Sequence, residues 1–203
     1  SLRNFRFITY SDLENSLMDF SNYIRGVSSK FKERSLDEYY IDPTYDDGQD
    51  LHKTILSWIE SDVSTPLAIM AGYGMGKSSY SSYLAYDLAK RYTREDVKRI
   101  PILITLGEIS QEQSLEGLIS KLLTFQSPIK GFDVNLFMEL NRRGKFVIIL
   151  DGFDEMKHAI SWEQFKYNFK ELHKLLDGKS KVVLLGRPSA FLSDEERKFV
   201  LHG

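Results

Sequence analysis

The chain has 203 residues, a formal net charge of -2 and a pI near 6.1, so no overall electrostatic attraction draws it to nucleic acid or to an anionic membrane. It contains no cysteine, which excludes disulfides and thiolate metal centres and fits a reducing compartment. There is neither a run of about 18 apolar residues nor a signal-peptide order of basic, apolar and small residues, so a cytoplasmic protein without a membrane span is expected.

Because the chain opens on Ser1, it is read as part of a longer protein. The first predicted element is one amphipathic helix over residues 11–34. Ser11 and Glu14 have the spacing of a capping box. Leu13, Leu17, Phe20, Ile24, Val27 and Phe31 form a single apolar stripe by steps of three and four. This helix either packs on its own domain or connects to an upstream one.

Tyr39 to Tyr45 is a short aromatic segment in which Pro43 stops any helix, and Asp46-Asp47-Gly48 signals a turn. A helix is predicted over 50–60, with Leu51, Ile55, Trp58 and Ile59 on one face. From Pro66 onward the pattern changes. Short apolar runs at 67–70, 101–106, 146–150 and 182–185 read as strands. They alternate with predicted helices over 77–92, 114–123, 134–142 and 162–176, and Ser193 with Glu196 suggests one more. Continuous apolar strands between amphipathic helices imply an α/β fold, a parallel sheet covered on both faces. His52, His158 and His173 show no metal-ligand spacing and are read as surface residues.

Residues 71–78, Ala71-Gly72-Tyr73-Gly74-Met75-Gly76-Lys77-Ser78, match the P-loop pattern with Ala71 where the first glycine usually stands. A loop of this kind wraps a phosphate with inward-pointing backbone amides, which needs angles that Gly72, Gly74 and Gly76 supply cheaply. The helix that follows turns its N-terminus toward the same anion. Lys77 is assigned to the β- and γ-phosphates and the Ser78 hydroxyl to magnesium.

The strand at 146–150 runs into Asp151-Gly152-Phe153-Asp154-Glu155. An aspartate after an apolar strand has the Walker B form, so Asp151 is the second expected magnesium ligand. Asp154 or Glu155 would orient or deprotonate an attacking water; the alternative is that they favour a helix N-terminus. The strand at 182–185 leads to Gly186-Arg187-Pro188, where Arg187 can reach a γ-phosphate or pair with a nearby carboxylate.

With these three motifs in hand, the chain resembles the NACHT family of STAND nucleoside triphosphatases. The resemblance rests on Gly72 to Ser79, on Ile148-Ile149-Leu150-Asp151-Gly152-Phe153-Asp154-Glu155, and on Leu185-Gly186-Arg187-Pro188, where Leu185-Gly186 replaces the family's usual Thr-Ser. It implies a three-layer P-loop NTPase of the ASCE/STAND type. The sensor strand carrying Arg187 would lie between the P-loop strand and the Walker B strand. It further implies an N-terminal linker helix region at 1–38 and the nucleotide-binding domain at 39–203, with the last strand and the winged helix beyond the chain. That leaves an open sheet edge beside the P-loop strand.

The implied cofactors are ATP (or GTP) and Mg2+. The implied nucleotide-binding residues are Gly72, Tyr73, Gly74, Met75, Gly76, Lys77, Ser78 and Ser79, with Ile41, Pro43 and Tyr45 toward the base and ribose. The implied function is a regulatory switch. It would hydrolyse slowly, self-associate when activated and drive a fused N-terminal effector under a C-terminal sensor domain, in innate immune or antiphage defence. A nucleotide-binding scaffold that does not hydrolyse is the alternative. A P-loop kinase is a weaker one, since no compact Arg-rich lid is present. No basic track for nucleic acid stands out either.

Overall fold

A computed structural model describes residues 17–33, 40–46, 48–63, 65–111, 115–126 and 128–188. The capping boxes expected at Ser11 and at Ser193 lie outside the described residues.

Four strands form one parallel sheet: β3 (Leu67–Met70), β4 (Ile100–Thr105), β5 (Phe146–Asp151) and β6 (Lys181–Gly186). A two-stranded hairpin of β1 (Thr44–Tyr45) and β2 (Gln49–Asp50) precedes them, around the turn expected at Asp46 and Gly48. The order across the main sheet is β3-β6-β5-β4, which puts the strand leading to Arg187 between the P-loop strand and the strand ending in Asp151. This is the expected α/β P-loop arrangement. Strand β3 is an edge of the sheet among the described residues.

Every residue of β5 is buried, because successive side chains enter opposite layers. Phe146, Ile148 and Leu150 join one core, and Val147 and Ile149 the other. The second layer is closed by α2 (Leu51–Glu60) and α3 (Lys77–Thr93), through Ile55, Ile59, Leu84 and Leu88. The first is closed by α4 (Leu115–Lys121), α5 (Val134–Arg142), α6 (Phe153–Ala159) and α7 (Trp162–Leu176). Each such apolar side chain contributes roughly 1.5–3 kcal/mol when fully buried. No helix among the described residues is long and apolar enough to cross a membrane.

The single helix expected over 11–34 is broken. Residues 18–20 leave the helical path, and α1 covers only Ser21–Glu33. The cause is Asp19. Its backbone amide donates to Lys130 O at 3.0 Å, and its side chain accepts the Ser21 amide at 2.9 Å, which starts the new helix. The apolar stripe continues across the break, so periodicity alone does not register it.

Helix α1 packs on its own domain. Phe31 stacks on Tyr86 of α3 with ring centroids 4.5 Å apart, and Tyr23 is buried with its hydroxyl accepting the Leu103 amide of β4 at 2.9 Å. Strand β4 is the other edge of the sheet, and Tyr23 satisfies a donor there that would otherwise be exposed or orphaned. Tyr23→Phe is therefore expected to lower unfolding stability by about 1–3 kcal/mol in a denaturant titration. A change of only a few tenths would mean that water replaces the hydroxyl at no cost.

At the opposite end of the sheet from the P-loop, Lys181 is almost sealed from solvent. Its Nζ donates to Trp58 O and Ser61 O, both at 2.8 Å, at the C-terminus of α2, and it sits over the Trp58 ring at 4.7 Å. A cation at a helix C-terminus meets the unpaired carbonyls there. Burial, and then the neighbouring Arg99, push the lysine's pKa down from its ordinary value. His52, expected at the surface, is instead 8% exposed. Its Nε2 lies 3.1 Å from Asp87 Oδ2, and Nδ1 faces the Tyr80 hydroxyl at 3.4 Å, tying α2 to α3. His158 is exposed as expected, and His173 is half-buried against Phe169.

Candidate functional site

Strand β3 ends where Ala71 N donates to Gly186 O at 3.2 Å, so the alanine in the first position of the loop extends the sheet pairing by one residue. The loop then turns through Gly74 at φ +73° and Gly76 at φ +76°, angles at which an L side chain is strained. Gly72 is not in that region, so only two of the three expected glycines are demanded by the backbone. Gly76 caps α3 without any side-chain bond, which leaves the amides of the first turn open to an anion. Lys77 folds back over the loop, with Nζ donating to Ala71 O and Gly72 O at 2.8 Å each. An ammonium has three donors, so one remains for a ligand.

On the neighbouring side, β5 delivers Asp151 at 6% exposure. Among the described residues its carboxylate has no hydrogen-bond or ion-pair partner. Its oxygens are not among the sealed, unpaired polar atoms of the interior, so they open toward the space where a cation could meet them. Gly152, at φ +82°, turns the chain sharply from β5 into α6. Helix α6 is an element that apolar periodicity did not predict; its signal was the pair of acidic residues at its N-terminus, where they face the positive end of the helix dipole. Asp154 and Glu155 both lie in that first turn, one buried and one exposed. The Glu155 carboxylate lies over two glycines: a Cβ at Gly107 would fall 2.6 Å from Oε2, and one at Gly152 3.1 Å.

Strand β6 delivers Arg187. Its Nε lies 2.8 Å from Asp154 Oδ2, and its guanidinium carbon lies 5.0 Å from the centre of the Tyr73 ring. The pairing with a nearby carboxylate, one of the two roles open to this arginine, is present here. Gly186, which stands where the family usually has serine, lets α6 come close: a Cβ there would be 3.3 Å from Phe153 Cβ and 3.6 Å from Asp154 Oδ1.

These elements enclose a cleft of about 350 Å³. Tyr73, Gly74, Met75, Gly76, Lys77, Ser78 and Ser79 line one wall, and Asp151, Gly152, Asp154, Glu155 and Arg187 the other. The phosphate-loop lysine and the strand-end aspartate thus face the same space, although 74 positions separate Lys77 from Asp151 in the chain. Ile41, Pro43 and Tyr45 do not line it. Ile41 is 86% exposed, Pro43 O accepts the Leu51 amide, and the Tyr45 hydroxyl bonds Gln49 Oε1 at 2.9 Å. No three His, Asp or Glu side chains converge on a metal-sized space among the described residues. A divalent ion in this cleft would therefore draw on Ser78, Asp151, phosphate oxygens and water, the ligand set magnesium prefers.

Comparison with known proteins agrees with this geometry. Residues 67–197 match the NACHT domain. An uncharacterized WD repeat-containing protein of Nostoc sp. (strain PCC 7120) is 28% identical over 219 aligned positions, which take in 96% of this chain but 14% of that protein. The chain is thus similar to a small part of a far longer protein. Since the family match covers more than half of its residues, the chain belongs to the NACHT family and carries that family's nucleotide-binding NTPase module.

Proposed function

We propose that this module binds ATP with Mg2+, hydrolyses it slowly, and uses the nucleotide state to control self-association and the activation of an attached effector. The observation that carries the reading is the convergence of Lys77, Ser78, Asp151, Glu155 and Arg187 on one cleft. In this reading Lys77 and the loop amides hold the phosphates, while Ser78 and Asp151 hold the metal. The ion would supply charge neutralisation between phosphate oxygens. Arg187 reads the terminal phosphate.

The WD repeats named in the relative support a sensor region elsewhere in a longer chain. The family resemblance supports a cytoplasmic role in innate immune or antiphage signalling. It also supports a place for the base near Ile41, Pro43 and Tyr45, with adenine preferred over guanine.

Calorimetry with ATP and GTP, with Mg2+ and with EDTA, tests the core of this. ATP binding that weakens about tenfold or more when the metal is chelated is expected, with phosphate release over hours. Failure of both nucleotides to bind would sink the reading.

A further inference from the structure

Asp154 and Glu155 are adjacent in sequence, yet their surroundings differ. The Asp154 carboxylate is nearly sealed from solvent, and both of its oxygens are committed to one residue. Oδ1 accepts the backbone amide of Arg187 at 3.1 Å, and Oδ2 faces Arg187 Nε at 2.8 Å. Holding main chain and side chain together fixes where the guanidinium emerges from β6. The closest contact of the ion pair is at Nε, so the two terminal nitrogens keep donor capacity for a second anion, a fork suited to a phosphate. Beneath the pair, the absence of a side chain at Gly186 lets α6 approach closely enough to make it. Glu155 is the contrasting case: it is exposed, lines the same cleft, and has open access to water.

We propose that Asp154 is the positioning residue of Arg187, aiming the guanidinium across the phosphate loop so that its terminal nitrogens meet a third phosphate, and that water activation is left to Glu155. This rests on the reading of the cleft as a triphosphate site and adds a division of labour between the two carboxylates. A buried acid with both oxygens engaged by Arg187 is a poorer base toward a water in the cleft than the exposed carboxylate beside it. A guanidinium without its tether samples many rotamers, and a contact with the terminal phosphate then costs more entropy to form.

The test is a double-mutant cycle on the full chain, reading dissociation constants for ADP and for a non-hydrolysable ATP analogue. Arg187→Ala is expected to lower the preference for the triphosphate by about tenfold or more. Asp154→Ala should lower it by a similar factor, and the double variant should be no worse than either single one. Glu155→Gln should leave the preference intact. Thermal unfolding confirms that each variant is folded. Should Asp154→Ala fail that check, the near-isosteric Asp154→Asn, which keeps an acceptor for the Arg187 amide but loses the charge, should show the same loss in part.

Additive effects of the two alanine variants would overturn the proposal. So would an Asp154 variant that keeps its preference for triphosphate but loses phosphate release. A wild-type chain that binds neither nucleotide refutes the cleft reading as well. One that binds both, with no dependence on Asp154, refutes this assignment alone.

Discussion

Lys77→Ala is expected to remove nucleotide binding from this domain, with affinity falling by at least about 100-fold in calorimetry. The argument is one of charge and placement. Its Nζ is pinned by Ala71 O and Gly72 O above the loop. It is thereby pre-ordered, and its remaining donor faces the cleft without further entropic cost on binding. Hydrogen bonds to charged groups contribute roughly 1.5–3 kcal/mol each, and loss of contacts to two phosphates converts to about two orders of magnitude or more in affinity. The fold should survive, because the cores on both faces of the sheet do not include this side chain. Circular dichroism should be unchanged and the unfolding midpoint should move by only a few degrees. An alanine variant that binds ATP as tightly as wild type would refute the phosphate-loop assignment.

Glu155→Gln is expected to separate binding from turnover. The glutamine keeps the size of the side chain over Gly107 and Gly152, where space is tight. It loses the capacity to accept a proton. A positioned general base contributes typically about 10²–10⁴ in rate, so phosphate release should fall by that factor while ATP affinity stays within about twofold. The measurement is single-turnover phosphate release beside equilibrium binding. Unchanged release would show that Glu155 takes no proton from water, and loss of binding would show that it holds the metal instead. Should the domain act as a non-hydrolysing scaffold, the wild type itself would show no release above background.

Much of the fold was legible in the chain because its signals are local. An unbroken apolar run such as Phe146 to Leu150 cannot have a polar face, so it reads as a strand covered on both sides, and β5 is buried along its whole length. The cleft is equally legible, since eleven of its twelve lining residues carried a predicted role, Gly152 being the addition. Three features were not legible. The break at 18–20 depends on a pairing of Asp19 with Lys130, far along the chain. His52 sits on a helix face without a motif, and only the packing of α2 on α3 shows that Asp87 and Tyr80 surround it. Helix α6 is too short for apolar periodicity to announce it.

By itself the sequence determined the glycine-rich turn before α3, the acidic strand end and the alternation of strands and helices. Each depends on backbone angles, helix ends or side-chain periods that neighbouring residues dictate. Only the tertiary structure decided that Asp154 holds Arg187, that Glu155 keeps its access to water, and that α1 belongs to the core. Those outcomes join residues tens of positions apart, and they follow from which surfaces meet when the layers pack.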